Sequence, residues 1–290
     1  MSEKPSTVAE LVRDAIVDSF TRLVVNAAVI AVTDDPEAVH QARVATRRLR
    51  SDLRTFDDWL DEERATELRG ELRWLGGDLG AVRDLDVMRD RLRGHAAELP
   101  APDAEVAERV IRRLDEDRNA ARRELVTVLG QPRYDVLVQD LETAARQPPC
   151  TQAAYDTPAT SVAPAVQHRW RKLRHAVEQL GDRPADEALH HVRIRAKRCR
   201  YAAEASTPAF GKPAKRFAKA VEAVQEVLGD QHDAVVASAW LAKTAHECSP
   251  AEAYAVGMLA EVERAASESA RAAFPPAWKE ARHPRLRAWL

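Results

Sequence analysis

Hydrophobic positions along this chain recur every three or four residues, and period-two alternation is scarce. Between 39 and 56 the pattern is plainest. At about 100° per residue, Ala42, Ala45, Leu49, Leu53 and Phe56 gather on one side of a helical wheel. The same rule predicts a first helix from a capping box at Thr7-Val8-Ala9-Glu10 to about Val32, with Val8, Leu11, Val12 and Ala15 buried. Thr33-Asp34-Asp35-Pro36 then stops it, with Asp35 as N-cap and Pro36 as the first residue of a helix reaching about Leu60.

A third helix is predicted from Asp61 to Gly76, broken by Gly76-Gly77-Asp78-Leu79-Gly80, and a fourth starts at Asp84-Leu85-Asp86. On that reading Asp84, and Asp233 later in the chain, are turn or capping groups. Amphipathic stretches at 103–129 and 132–146 read as scaffold. Residues 148–160, rich in Pro and Thr, form a linker between a first half at 1–147 and a second at 161–290. Further helices are expected at 162–180, 186–206, 210–228, 231–246 and 250–272, and the tail from Ala277, with Trp278 and Trp289, docks as a last short helix.

Composition agrees with an all-α chain. Hydrophobic residues make up 45% of the 290, charged residues 31% and aromatics 5%, which suits surface-charged helices around a sizeable core. Three cysteines without C-x-x-C spacing point to unpaired thiols in a reducing cytoplasm. The N-terminus shows no signal pattern, and the most apolar run, Leu23 to Val32, carries Asn26 and falls short of a bilayer span, so no membrane role is expected.

Charge changes the picture by its distribution, since the formal net charge is only −2. On the wheel of residues 39–56, His40, Arg43, Arg47, Arg50 and Arg54 occupy an arc of roughly 80° opposite the apolar face. Asp52 is the one acid there, placed to neutralise Arg48 at i+4. Arg43/Arg47 and Arg50/Arg54 are like-charge i,i+4 pairs, each costing about 0.2–0.5 kcal/mol in an isolated helix. A stripe that repels itself awaits an anion. Arg69 and Arg73 extend the cationic wall, and Lys212, Lys215 and Lys219 form a further patch without acids.

The stripe recurs 150 residues on, where His190, Arg193, Lys197 and Arg200 take the positions of His40, Arg43, Arg47 and Arg50. Leu79-Gly80 through Asp84 likewise returns as Leu228-Gly229 through Asp233, 149 residues later. Two segments sharing nearly one offset indicate an internal duplication. It is inexact: Leu49 becomes Cys199, and Ala45 becomes Arg195 on the side expected to be buried.

With its two H-x-x-R-x-x-x-(R/K)-R-x-R segments and two L-G-x-x-x-D segments, in order and spread over nearly the whole chain, the sequence resembles the CHAD family of conserved-histidine α-helical domains. The resemblance implies two pseudo-symmetric four-helix bundles whose basic faces form a central groove or pore that binds inorganic polyphosphate. It makes the chain a standalone cytoplasmic binding module, associated with polyphosphate granules or polyphosphate-handling enzymes, with no cofactor.

For His40 and His190, packing and phosphate contact stay equally open, and metal ligation is disfavoured because no H-x-x-x-H or His-carboxylate cluster shares a face. Tyr201 and Glu204 read as groups that orient Arg200. No P-loop, nucleophile elbow or Cys/His signature supports catalysis, and the E-x-E-x-K signature of triphosphate-tunnel domains found fused to some CHAD relatives is absent. The alternatives are RNA, DNA or general polyanion binding, for which the cationic sides lack stacking aromatics, then polyphosphate or triphosphate hydrolysis, then a helical adaptor for an acidic protein.

Overall fold

A computed structural model describes residues 4–290. Its α-helices are α1 (Val8–Val32), α2 (Pro36–Thr55), α3 (Glu62–Ala96), α4 (Ala101–Ile111), α5 (Arg113–Leu129), α6 (Pro132–Arg146), α7 (Gln152–Asp156), α8 (Ala163–Glu178), α9 (Asp186–Ala205), α10 (Thr207–Phe210), α11 (Lys212–Ala245) and α12 (Pro250–Ala281). Among the described residues there is no strand, only two isolated bridges, so the chain is all-α.

Local signals set most helix starts. Thr7 accepts a hydrogen bond from the Glu10 amide, while the Glu10 carboxylate reaches back to Ser6 rather than to Thr7 itself. The Asp35 carboxylate accepts from the Glu37 amide at 2.9 Å, and Pro36 opens α2. That helix ends at Thr55, short of Leu60, and a single 3₁₀ turn follows. By length and apolar composition α1 could cross a bilayer, yet Leu11, Ile16, Leu23 and Ile30 are buried against other helices.

The predicted break at Gly76–Gly80 does not occur. α3 runs 35 residues without interruption, and α11 runs 34 through the corresponding Gly229. Each helical glycine costs about 1 kcal/mol relative to alanine. Burial of Leu72, Leu75, Leu79 and Val82 at helical spacing outweighs that cost. Asp84 and Asp233 therefore sit mid-helix and cap nothing. Conversely, the stretch expected as one helix at 103–129 divides at Arg112 into α4 and α5.

Three hydrophobic cores form. One centres on α1, α2, α3, α5 and α6 and also takes in Ala154 and Val162, and one lies within the second half around α8, α9, α11 and the end of α12. The third joins Leu92, Val110, Ile111 and Leu114 to Leu241, Val256 and Leu259, so both halves build it. The long helices are its struts, and an ion network backs it. The fully buried Glu263 of α12 accepts from Arg91 at 2.7 Å and lies 2.8 Å from the His95 ring nitrogen, both on α3.

The Pro- and Thr-rich segment is not free chain. It carries α7 and a 3₁₀ turn at Ala159–Val162, and its backbone bonds to residues 6–8 and 59–61. At the other end, Trp278 belongs to α12 and stacks on Trp170 at 5.2 Å, whereas Trp289 follows a 3₁₀ turn and packs on Phe210 at 4.7 Å. The three cysteines are unpaired.

Candidate functional site

α2 and α9 pack against each other where the two halves meet, and the starts of their basic stripes face one cleft of about 460 Å³. α3 and α11 complete its walls. Eight nitrogen-bearing side chains line it: His40, Arg43 and Arg47 from α2, Arg83 from α3, His190, Arg193 and Lys197 from α9, and His232 from α11. Two carboxylates, Asp84 and Asp233, accompany them.

The duplicated L-G-x-x-x-D segments explain how the arginines are held. Arg43 lies across α3 over Gly80, where a Cβ would overlap the guanidinium, and it donates to Asp84 one turn further on at 3.0 Å. In the second half Arg193 lies 3.8 Å from the Cβ position of Gly229 and 3.9 Å from Asp233. Gly80 thus clears the crossing and Asp84 aims Arg43, whereas in the second half Gly229 leaves room to spare and Asp233 attracts Arg193 without a hydrogen bond. Asp84 positions an arginine and Asp233 faces one, both from mid-helix, which corrects their reading as turn or capping groups.

Positive charge exceeds its local compensation. Arg47, Arg83 and Lys197 have no acid partner within 4 Å among the described residues, and one buried N–H each of Arg43, Arg47 and Arg193 lacks a hydrogen-bond acceptor. Burial, followed by the charges of Arg193, Arg47 and Arg43, lowers the Lys197 ammonium to about 7. His190 and His232 stand 3.2 Å apart through their Nδ1 atoms, and burial together with Arg193 pushes His232 down to about 4. Burial first, then Arg83, lowers His40; burial first, then Arg193, lowers His190. The cleft thus presents permanent guanidinium charge and a reserve of bases that a nearby anion would lead to take up protons from solvent.

The remaining predicted residues separate into three groups. Arg50, Arg54 and Arg73 gather with Arg169 and Arg198 in a second cationic cluster further along α2, where burial and then mutual repulsion lower the Arg50 and Arg54 guanidinium groups. Arg69 and Arg200 are spent in the fold. Arg69 binds Asp57, and Arg200 binds Glu222 while lying over the Tyr201 ring at 4.8 Å. Lys212, Lys215 and Lys219 are exposed at the start of α11, about 20–30 Å of helix from His232, and do not line the cleft.

Arg48 and Asp52 also differ from expectation. Arg48 reaches across to Glu204 of α9 at 2.7 Å instead of pairing along its own helix, and Glu204 lies only 3.6 Å from Arg200. At the inexact repeat positions, Cys199 is buried where Leu49 is, and Arg195 is half-buried beside His191.

Arg83 and His232 were missed by motif reading. They occupy one and the same position of the L-G-x-x-x-D segments, immediately before the aspartate, and that alignment was the available signal. Arg83 is permanently charged where His232 titrates, so the two ends of the cleft differ.

Known proteins share this framework. A family profile for the CHAD domain matches residues 15–242. Two uncharacterized proteins of Mycobacterium tuberculosis, MT2285 and Rv2226, are each 31% identical over 253 residues. That alignment takes in 82% of this chain and 47% of theirs, so the chain spans about half the length of these curated relatives. Among solved structures, PptA from Streptomyces chartreusis superposes with a TM-score of 0.78 at 25% identity, covering 95% of this chain and all of that one. The CHAD domain from the plant Ricinus communis superposes with a TM-score of 0.72 at 27% identity over 99% of this chain and 94% of its own. This chain belongs to the CHAD domain family.

Proposed function

We propose that the chain binds inorganic polyphosphate in the cleft between α2, α3, α9 and α11 and does not cleave it. One observation carries this reading: basic side chains from four helices and both halves face one cleft, with more donors than the fold satisfies. Polyphosphate is a flexible string of closely spaced anions without bases. Guanidinium groups match its oxygens two at a time, and Lys197 adds a mobile point charge. On this reading Asp84 aims Arg43, and neither it nor Asp233 is given a role in proton transfer.

The second cationic cluster, with Arg50, Arg54 and Arg73, continues the path for longer chains. The two halves descend from one duplicated unit, each contributing one wall. The protein works in the cytoplasm, on polyphosphate granules or beside polyphosphate-handling enzymes, and the unpaired thiols suit that setting.

Nucleic acids share the phosphate charge but add bases. The cleft offers no aromatic platform for them, since no Phe, Tyr or Trp lines it. Polyphosphate should therefore displace bound single-stranded RNA at low excess, while RNA displaces polyphosphate poorly. Fluorescence anisotropy read in both directions tests this, and equal displacement would favour a general polyanion sink.

Binding should also take up protons. In the free protein Lys197 titrates at about 7 and His232 at about 4, and a bound polyanion raises both. Affinity accordingly climbs as pH falls from about 9 to 5, first through Lys197 and then through the histidines, by up to about tenfold per pH unit for each proton taken up. The lysine acts oppositely on the free fold. Its pKa is depressed below the unfolded 10.5, so free-protein stability rises with pH between about 7 and 10.5. Calorimetric titration at several pH values, with thermal melts of the free protein, checks both signs.

A further inference from the structure

On the opposite side of α2 from the basic stripe lies a second and smaller cavity, of about 190 Å³, between α1, α2 and α9. Asp52 is nine residues from Arg43, which at about 100° each places it half a revolution around the helix. The charge is reversed as well. Four carboxylates, from Asp14, Asp18, Asp52 and Glu204, line this cavity against one guanidinium, Arg48. Glu204 engages Arg48 at 2.7 Å, and Asp14 and Asp18 meet Arg13 and Arg22 at the surface at 3.3 Å.

Asp52 is left over. It is only 8% exposed, faces the cavity, and has no hydrogen-bond or ion-pair partner among the described residues. Tyr201, 3% exposed, lines the same cavity, and its hydroxyl makes no well-formed hydrogen bond although the Arg47 and Arg200 guanidinium groups lie over its ring. A buried carboxyl and a buried hydroxyl without partners are each costly, by about 1–3 kcal/mol for the neutral group. Burial, opposed by the Arg48 charge and reinforced by Glu204 and Asp18, holds the Asp52 carboxyl well above its ordinary range. A cationic donor entering the cavity would relieve that.

The chemistry of the walls selects the donor. Leu11, Ala15 and Pro208 form apolar surface between the acidic groups. Among the described residues no three acidic, His or Cys groups stand close enough together to hold a metal ion. Separated carboxylates with hydrocarbon between them match a ligand whose ammonium groups are joined by methylenes.

We propose that this cavity binds a short aliphatic diamine, with one ammonium group on Asp52 and the other toward Asp18 at the cavity's outer edge. The inference stands independently of what the central cleft binds. The ammonium donates to the Asp52 carboxylate and leaves the Arg48–Glu204 pair intact, while the methylenes cover the apolar wall.

Titration calorimetry of the full chain with 1,4-diaminobutane, without polyphosphate, tests it. Saturable binding of one diamine per protein is expected, weakened at least about tenfold by Asp52→Asn, as loss of a charge-assisted hydrogen bond implies. Asp18→Asn, an exposed substitution that leaves the fold intact, should weaken it by a smaller factor. Butylamine and Mg²⁺ should each bind more weakly than the diamine. No saturation by about 10 mM diamine, a Kd weaker than any useful site, would overturn the proposal. Unchanged binding in Asp52→Asn, or Mg²⁺ binding as tightly as the diamine, would overturn it equally.

Discussion

Replacing Arg43, Arg47, Arg193 and Lys197 together with alanine should weaken polyphosphate binding by at least about 10³-fold and leave the fold no less stable. A hydrogen bond to a charged group contributes about 1.5–3 kcal/mol, and four of them would exceed 10⁴-fold if they simply added. Neighbours in one cleft do not add, which brings the figure down. Stability should hold because the four repel one another in the free protein. Arg43, Arg47 and Arg193 each carry a buried N–H without an acceptor, Lys197 is a buried amine with no acid partner, and only Arg43 has an acid at hydrogen-bonding distance. Alanine removes those penalties along with some packing of the stems. Melting curves beside the titrations separate loss of the site from loss of the fold.

Salt should act nearly as strongly. Four guanidinium groups, Arg43, Arg47, Arg83 and Arg193, and the Lys197 amine face the cleft, and near neutral pH the histidines stay uncharged and are left out of the count. If each releases a counterion from a flexible polyanion, log K falls with log salt at a slope of about −0.7 per contact, or about −3.5 in all. Between about 50 and 200 mM salt the affinity then drops on the order of 100-fold. For a polyphosphate short enough to occupy the cleft alone, the quadruple variant should flatten the slope to a magnitude of about 1 or below, because Arg83 alone remains of the five. Affinity that ignores salt would mean that something other than charge holds the ligand.

Much of this was written locally in the sequence. The caps at Thr7 and Asp35, the stripe on α2 and its echo on α9 depend on spacings of three or four residues, and helical geometry converts such spacings directly into faces. What failed depended on contacts between distant segments. Gly76, Gly77 and Gly80 look like a helix stop until the buried leucines around them, and the arginine laid across Gly80, are known. Arg69 and Arg200 belong to basic patterns, but Asp57 and Glu222, 12 and 22 residues away, claim them. The i,i+4 spacing pairs Asp52 with Arg48, but Glu204, 156 residues off, takes the arginine instead. The third core could not be read at all, because its two sides come from α3–α5 and α11–α12.

The position before each motif aspartate carries a different lesson. Arg83 and His232 were visible as aligned residues, yet unlike types at an aligned position suggest drift. In the cleft they take matching places on α3 and α11, and the exchange of arginine for histidine gives one wall a fixed charge and the other a titrating one.

Whether one polyanion strand engages both walls at once is best decided by the stoichiometry of two half-site variants, Arg43→Ala/Arg47→Ala and Arg193→Ala/Lys197→Ala. A shared site predicts a single class of binding in the wild type, and in each variant the same single class at strongly reduced affinity. Two independent classes in the wild type, with each variant deleting one and leaving the other at its original strength, would contradict it.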